Sequence, residues 1–308
     1  MRYSRLGFYT PFTAYPYTGE AVPCPGCCAD DSWRLGRLDR RFKRLPTVAC
    51  GRCGLLYTNP MPTDAELDAY YGQFYRLDYQ AAGSGPTARH LRKRRHEALY
   101  RANHLEGLVA AEASTLDFGC GSGEFVGLMV EEGRDGHGFE PGELYGNHAK
   151  ALLGERIKVD GWRQVSYLRT FDLVTCFHVL EHLRDPMAAL AQMAAWSAPG
   201  GLVYVEVPDL GNMHPNKGFG ALHFAHVLGF NHHSLVVAAA RAGLRPRKVV
   251  SPTGIIFEHG ALADEEAEAR KGHELTRQIY GDGRIYSNYL SYQIGKLTGA
   301  NRRQRNPR

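Results

Sequence analysis

No apolar run in these 308 residues approaches the roughly 18 needed to span a membrane. The first 19 residues are aromatic and polar, and the apolar stretch of a secretory signal is absent from them. These two absences set the expectation of a cytoplasmic chain that does not enter a membrane. No internal repeat is visible. Acidic residues are missing from two stretches, 89–96 (RHLRKRRH, five Arg/Lys) and 302–308 (RRQRNPR, four). Without those nine, 28 basic residues face 32 acidic ones, so the formal charge of +5 is local. A basic run of this kind either contacts a polyanion such as RNA or forms a solvated helix face and a tail. Disulfide pairing is disfavoured too. The cysteines number seven, an odd count, and four of them fall in two C-x-x-C pairs, which points to metal.

What is present suffices for a globular core: 44% of residues are apolar, in a chain long enough for a catalytic domain and a small module. The pairs Cys24–Cys27 and Cys50–Cys53 are separated by 22 residues. Thiolates are soft ligands that suit Zn2+, and two such knuckles close a tetrahedral structural site with no open position. Cys28 is an alternative to Cys27, although the spacing favours Cys27. Thr63-Asp-Ala-Glu66 reads as a capping box opening a helix whose apolar face carries Leu67, Tyr70, Tyr71 and Phe74. A second helix is expected from about Thr87 to Leu108.

From Ser114 the pattern changes to short apolar runs alternating with helical stretches. Strands are expected at Thr115–Phe118, Gly136–Glu140, Ile157–Val159, Phe171–Phe177 and Leu202–Val207, the last after a turn at Pro199–Gly201. Helices fall between them, at Glu124–Glu132, Leu144–Leu153 and Pro186–Trp196. A long loop follows over 209–231, then a helix capped by Ser234, then two strands, Arg247–Val250 and Ile255–Glu258, that pair antiparallel. This alternation implies an α/β fold with a doubly wound, mostly parallel sheet of seven strands. The expected division is a zinc-binding module (1–62), a helical linker or lid (63–108), a catalytic domain (109–262) and a helical extension with a basic tail (263–308).

The first parallel strand runs into Asp117-Phe-Gly119-Cys-Gly121-Ser-Gly123, and a helix follows. Glycines permit a tight turn and close approach of a ligand to the backbone, and the helix end offers free N–H groups. The dinucleotide fingerprint G-x-G-x-x-G/A fails in both registers, with Glu124 or Val126 in its last position. The D-x-G-x-G-x-G pattern instead resembles the first motif of class I, Rossmann-like, S-adenosylmethionine-dependent methyltransferases. Glu140, 23 residues after Asp117, matches the acid that accepts from both ribose hydroxyls. Asp160 matches a position that contacts the adenine amino group. Phe171–Pro186 and Pro199–Leu202 match the fourth-strand segment and the turn before the fifth strand. Residues 53–63 resemble the zinc-ribbon extension of bacterial methyltransferases of sugar, polysaccharide and natural-product pathways. The likeness covers roughly 24–260. It implies Asp117, Gly119, Gly121, Gly123, Glu140, Asp160 and His178 as cofactor-binding residues.

Transfer of a methyl group from a sulfonium is an in-line displacement that needs alignment, and a hydroxyl or carbon acceptor also needs a base. By resemblance to sugar C-methyltransferases, His178 and His259 are the candidate bases, with Glu258 beside the latter. Packing against the methionine end of the cofactor is the other role for His178. Glu181 and His182 read as structural residues at a helix start, while a metal cluster among His223, His226, His232 and His233 is the remote alternative. The implied function is methylation, at C or O, of a small-molecule acceptor: a sugar, nucleotide-sugar or natural-product intermediate. An RNA methyltransferase that grips its substrate through the zinc ribbon and residues 89–96 is the second reading. It is weakened because strand four ends Cys176-Phe-His178 and not in the Asn/Asp-Pro-Pro-Tyr pattern of many base N-methyltransferases. A non-catalytic cofactor-binding scaffold is the third. The oligomeric state stays open.

Overall fold

The computed structural model describes residues 10–73, 85–209 and 223–298. Its centre is a seven-stranded sheet in the order β10-β11-β8-β7-β4-β5-β6. The parallel part comprises β4 (Ser114–Phe118), β5 (Asp135–Phe139), β6 (Ile157–Lys158), β7 (Phe171–Phe177) and β8 (Ser197–Glu206). β10 (Leu244–Ser251) and β11 (Gly254–His259) are antiparallel to each other, and β11 is antiparallel to β8. The chain proceeds outward from β4 to β6, then returns to place β7 on the other side of β4. The switch point, where ligands collect in doubly wound sheets, therefore lies at the carboxyl ends of β4 and β7.

Alternation along the strands sends side chains to two faces. Leu173 and Tyr204 meet Phe125, Leu128 and Met129 of the helix Glu124–Glu131 (α3 in chain order) and Ala98 of Ala88–Asn103 (α2). Phe118, Val174 and Val205 face the helix Pro186–Trp196 (α5), through Leu190, Met193 and Trp196, and the helix His232–Ala240 (α6). Buried side chains of this size contribute about 1.5–3 kcal/mol each.

The sequence reading and the structure agree on the order of these elements but differ locally. The first helix, Asp64–Gln73 (α1), has the expected capping box: Glu66 N donates to Thr63 Oγ1 (3.2 Å) and Thr63 N to Glu66 Oε2 (2.8 Å). Leu67 and Tyr70 are buried, while Phe74 lies outside the described residues. The cap of α6 is Asn231, with Ser234 three residues inside as its reciprocal partner, because the asparagine side chain reaches the Ser234 N–H (2.8 Å). The Pro199–Gly201 turn is a bulge inside β8, whose first residue, Ser197, already pairs with Phe171. Helix α2, in the segment expected to be a linker or lid, packs on the sheet beside α3.

The segment 1–62 does not complete its sheet alone. β1 (Ser32–Leu38), β2 (Arg44–Cys50) and β3 (Leu56–Thr58) form an antiparallel sheet whose fourth strand is β9 (Leu228–Gly229), inside the stretch expected to be loop. Behind it lie the helices Glu265–Tyr280 (α7) and Ile285–Leu297 (α8). Contact with α7 is very close: a Cβ on Gly272 would stand 2.3 Å from the Cys53 carbonyl oxygen, so only glycine fits there. Asn231 Nδ2 donates to Gly272 O (3.0 Å), and Thr276 Oγ1 donates to Gly54 O (2.7 Å). Among the described residues, no helix is long and apolar enough to cross a membrane.

Candidate functional site

The glycine loop occupies the switch point. Gly119, Gly121 and Gly123 have φ of 77°, 56° and 87°, the left-handed region that L side chains rarely adopt. They differ in why a side chain is excluded. A Cβ on Gly119 would meet Val179 at 2.6 Å, whereas the space beside Gly121 is open and leaves that backbone approachable. Helix α3 begins directly behind the loop, its N-terminal N–H groups directed toward it.

Glu140 follows β5. One of its oxygens accepts from Gly121 N (3.0 Å) and the other from Gly142 N (2.8 Å). Burial raises its pKa above the ordinary carboxylate value, and these two N–H groups oppose that shift. Two backbone donors thus orient the carboxylate and leave further lone pairs for a vicinal diol. Asp160 is exposed beyond β6, its Oδ1 accepting from Gly161 N (2.8 Å). Asp117 lies beneath the loop, where its carboxylate accepts from Thr175 Oγ1 of β7 (2.7 Å) and burial pushes its pKa up to about 6. Its hydrogen bond ties β4 to β7.

His178 directly follows β7 with φ of 57°, an unusual strain for a non-glycine residue. Its Nε2 lies 3.1 Å from Glu206 at the end of β8, and its Nδ1 lies 3.7 Å from Glu181. Burial alone would depress its pKa, but the two carboxylates outweigh burial and hold it at about 9. Glu206 is in turn forked by Arg101 of α2, at 2.7 Å and 3.2 Å, and the guanidinium also covers the Phe177 ring at 4.2 Å. For Glu206, burial is again overcome by its cationic partners, which bring it down to about 2. An imidazolium at neutral pH cannot accept a proton. The two carboxylates favour the protonated ring, so the base role expected of His178 would require it to lose that proton first.

His259 and Glu258 also require correction. β11 runs antiparallel, so Gly254 lies opposite Glu206 and Glu258 opposite Leu202. The end of β11 therefore sits at the amino ends of the parallel strands, away from the glycine loop. There His259 Nε2 meets Ser197 Oγ (3.2 Å), and Glu258 pairs with Arg245 (2.8 Å). The Glu-His pair that resembled an active-site element is on the wrong edge of the sheet because strand direction, which a local motif does not reveal, decides the edge.

The structure brings Arg101 and Glu206 to the site, and neither was singled out from sequence. Arg101 was hidden beside a run of surface basic residues. Only its burial, with 7% of the side chain exposed, sets it apart.

The four cysteines converge from two knuckles. Sγ–Sγ distances are 3.7 Å for Cys24–Cys53 and 3.5 Å for Cys27–Cys50, with all four sulfurs within 4.8 Å of one another. A tetrahedral zinc–thiolate centre requires about 3.8 Å between sulfurs. Arg52 N and Cys53 N point at Cys50 Sγ (3.3 and 3.4 Å), N–H contacts that favour thiolate. Cys28 is exposed and turned away, which leaves Cys27 in the cluster.

Residues 81–249 match the family described as Methyltransferase domain. That match spans more than half of the chain, which belongs to this family. The ubiquinone biosynthesis O-methyltransferase of Escherichia coli O127:H6 is 33% identical over 123 residues, 34% of this chain and 50% of that protein. The tRNA U34 carboxymethyltransferase of Idiomarina loihiensis is 32% identical over 117 residues, 34% of this chain and 35% of that protein. The chain thus spans about half the length, or less, of these curated relatives. Among solved structures, Streptomyces venezuelae DesVI aligns with TM-score 0.44 and 21% identity, covering 62% of this chain and 98% of that one. The PH0226 protein of Pyrococcus horikoshii aligns with TM-score 0.47 and 16% identity, covering 60% and 99%.

Proposed function

We propose that this chain is an S-adenosylmethionine-dependent methyltransferase acting on a small molecule. The observation that carries this reading is Glu140. It is a half-buried carboxylate, oriented by Gly121 N–H and Gly142 N–H, beside an open glycine backbone at the switch point of the sheet. That donor and acceptor set suits a nucleoside with a free ribose diol and an anionic amino-acid end. When bound, S-adenosylmethionine supplies a methyl group activated on sulfonium. The chain's own residues would do the rest. Glu140 would hold the ribose hydroxyls, Asp160 the adenine edge, and the loop Gly119–Gly123 the methionine end. Asp117 would position the loop through Thr175. His178, as an imidazolium, would orient an anionic or oxygen-bearing group and would not abstract a proton.

The four-cysteine cluster is proposed to hold a structural Zn2+, since four thiolates leave no coordination position for chemistry.

A sugar, nucleotide-sugar or natural-product acceptor is favoured over RNA by charge. Within 89–96, Lys93 and Arg94 pair with Glu97, and Arg95 pairs with Glu131, so the run is partly neutralised. The test is incubation with methyl-labelled S-adenosylmethionine and a cell extract, followed by fractionation. Label in a small, nuclease-resistant fraction supports this reading, and label lost on ribonuclease treatment overturns it. Cofactor bound but left unchanged with every acceptor fraction would make the chain a scaffold.

A further inference from the structure

A second group of donors lies beyond the carboxyl end of β7. Glu181 and His182 belong to the 3-10 turn Leu180–His182, and His226 belongs to the segment leading into β9. One donor atom from each lies within 4.8 Å of the others. Glu181 is the anomaly. Only 2% of its surface is exposed, yet neither carboxylate oxygen has a hydrogen-bond partner among the described residues. The nearest nitrogens, His178 Nδ1 and His182 Nε2, both stand 3.7 Å away, beyond hydrogen-bond distance. A carboxylate removed from water without hydrogen bonds calls for a cation in contact with it.

The histidines are arranged to supply lone pairs and not protons. His182 Nδ1 is 2.7 Å from the Ala225 carbonyl oxygen, which can only accept, so Nδ1 carries the hydrogen. Its Nε2 faces Glu181 at 3.7 Å. An imidazole N–H donating to a backbone carbonyl is also the outer-shell arrangement of metal-ligating histidines. Tyr71 Oη, 2.9 Å from the same Nδ1 and 3.3 Å from Ala225 O, fixes the ring further. His226 stands edge-on to His182, with ring centroids 4.8 Å apart, and lies against His223 at 4.1 Å.

The other histidine group lacks these features. His233 Nδ1 and Lys271 Nζ both satisfy Glu268, at 2.6 and 3.2 Å, and His232 Nδ1 is bound to Pro252 O at 2.7 Å. It is an ordinary hydrogen-bonded surface cluster.

We propose that Glu181, His182 and His226 bind a divalent first-row transition-metal ion, in a site separate from the four cysteines. Two imidazoles and a carboxylate suit such ions, and three protein ligands leave positions open for water or an oxygen of an acceptor. The site joins the β7 turn to the β9 segment, and it stands whether or not the chain transfers methyl groups. The side chain that competes with a metal for Glu181 is His178, whose Nδ1 lies 3.7 Å away.

Titration with Co2+ alone, of the full chain with zinc already in its cysteine site, separates the two. One further Co2+ per chain is expected, with weak ligand-field absorption and no thiolate charge-transfer band. Glu181→Gln and His226→Ala should each weaken that binding at least tenfold while the zinc content is unchanged, and His233→Ala should leave it unaltered. Should Glu181→Gln lose its zinc through misfolding, the His226→Ala affinity decides. No cobalt uptake at millimolar concentration, uptake only with charge-transfer bands, or equal affinity in the correctly folded variants would overturn the proposal.

Discussion

At the scale of single residues, the site is governed by how each ionisable group is surrounded. Glu140 is oriented by two backbone N–H groups, so its removal would cost those two hydrogen bonds and, on the proposed reading, the hydrogen bonds to the cofactor. Glu140→Ala should weaken S-adenosylmethionine binding by about 1–3 kcal/mol, as measured by calorimetry, and unchanged affinity would remove it from the site. His178 carries a pH signature. Its folded pKa, about 9, is raised above the ordinary 6.5. Protonation therefore favours the folded state, fully so below pH 6.5, and this contribution is lost as pH rises through about 9. Urea denaturation between pH 6 and pH 10 should show stability falling across that window. Glu206→Gln should shift the fall to lower pH, by removing one of the two anions that raise the pKa. A fall of the same position and size in the variant would show that this pair does not set it.

At the scale of elements, the second cysteine knuckle packs directly against α7. In an ordinary helix interior, Gly→Ala would stabilise by about 1 kcal/mol. At Gly272 the added methyl meets the Cys53 carbonyl oxygen, backbone that has nowhere to go. Gly272→Ala should therefore lower stability, by about 1–3 kcal/mol in equilibrium unfolding, and loosen the cysteine cluster. A gain in stability would mean that α7 can move away. Capping was legible at α1, where Thr63 and Glu66 lie at the right spacing. At α6 the sequence offered both Asn231 and Ser234, and only the backbone conformation of Asn231 distinguishes the cap from its reciprocal partner.

At the scale of the whole molecule, the two sheets share a buried cluster. β9, from the catalytic stretch, completes the N-terminal sheet, and the buried cluster that includes Cys24 and Cys53 continues to Phe118 and Val174 of the central sheet. Exchange of Cys50 for Ser should therefore release metal and lower the thermal midpoint of the entire chain in a single transition. Two transitions, with the sheet containing β4 and β7 melting at its original temperature, would show an independent N-terminal module.

The order of strands and helices, the glycine loop, Glu140 and the cysteine pairs were determined by the sequence itself, since each depends on spacing within a few tens of residues. Tertiary structure decided everything that depends on strand direction or on partners distant in the chain. It placed Glu258 and His259 at the far edge of the sheet, because an antiparallel strand ends where its parallel neighbours begin. It brought Glu206 up to His178, which favours the protonated ring, and it seated Arg101 inside the molecule although its neighbours in sequence are solvated. It also gathered Glu181, His182 and His226 from segments more than forty residues apart. Charge and coordination follow from distances in space, which local spacing in a chain does not specify.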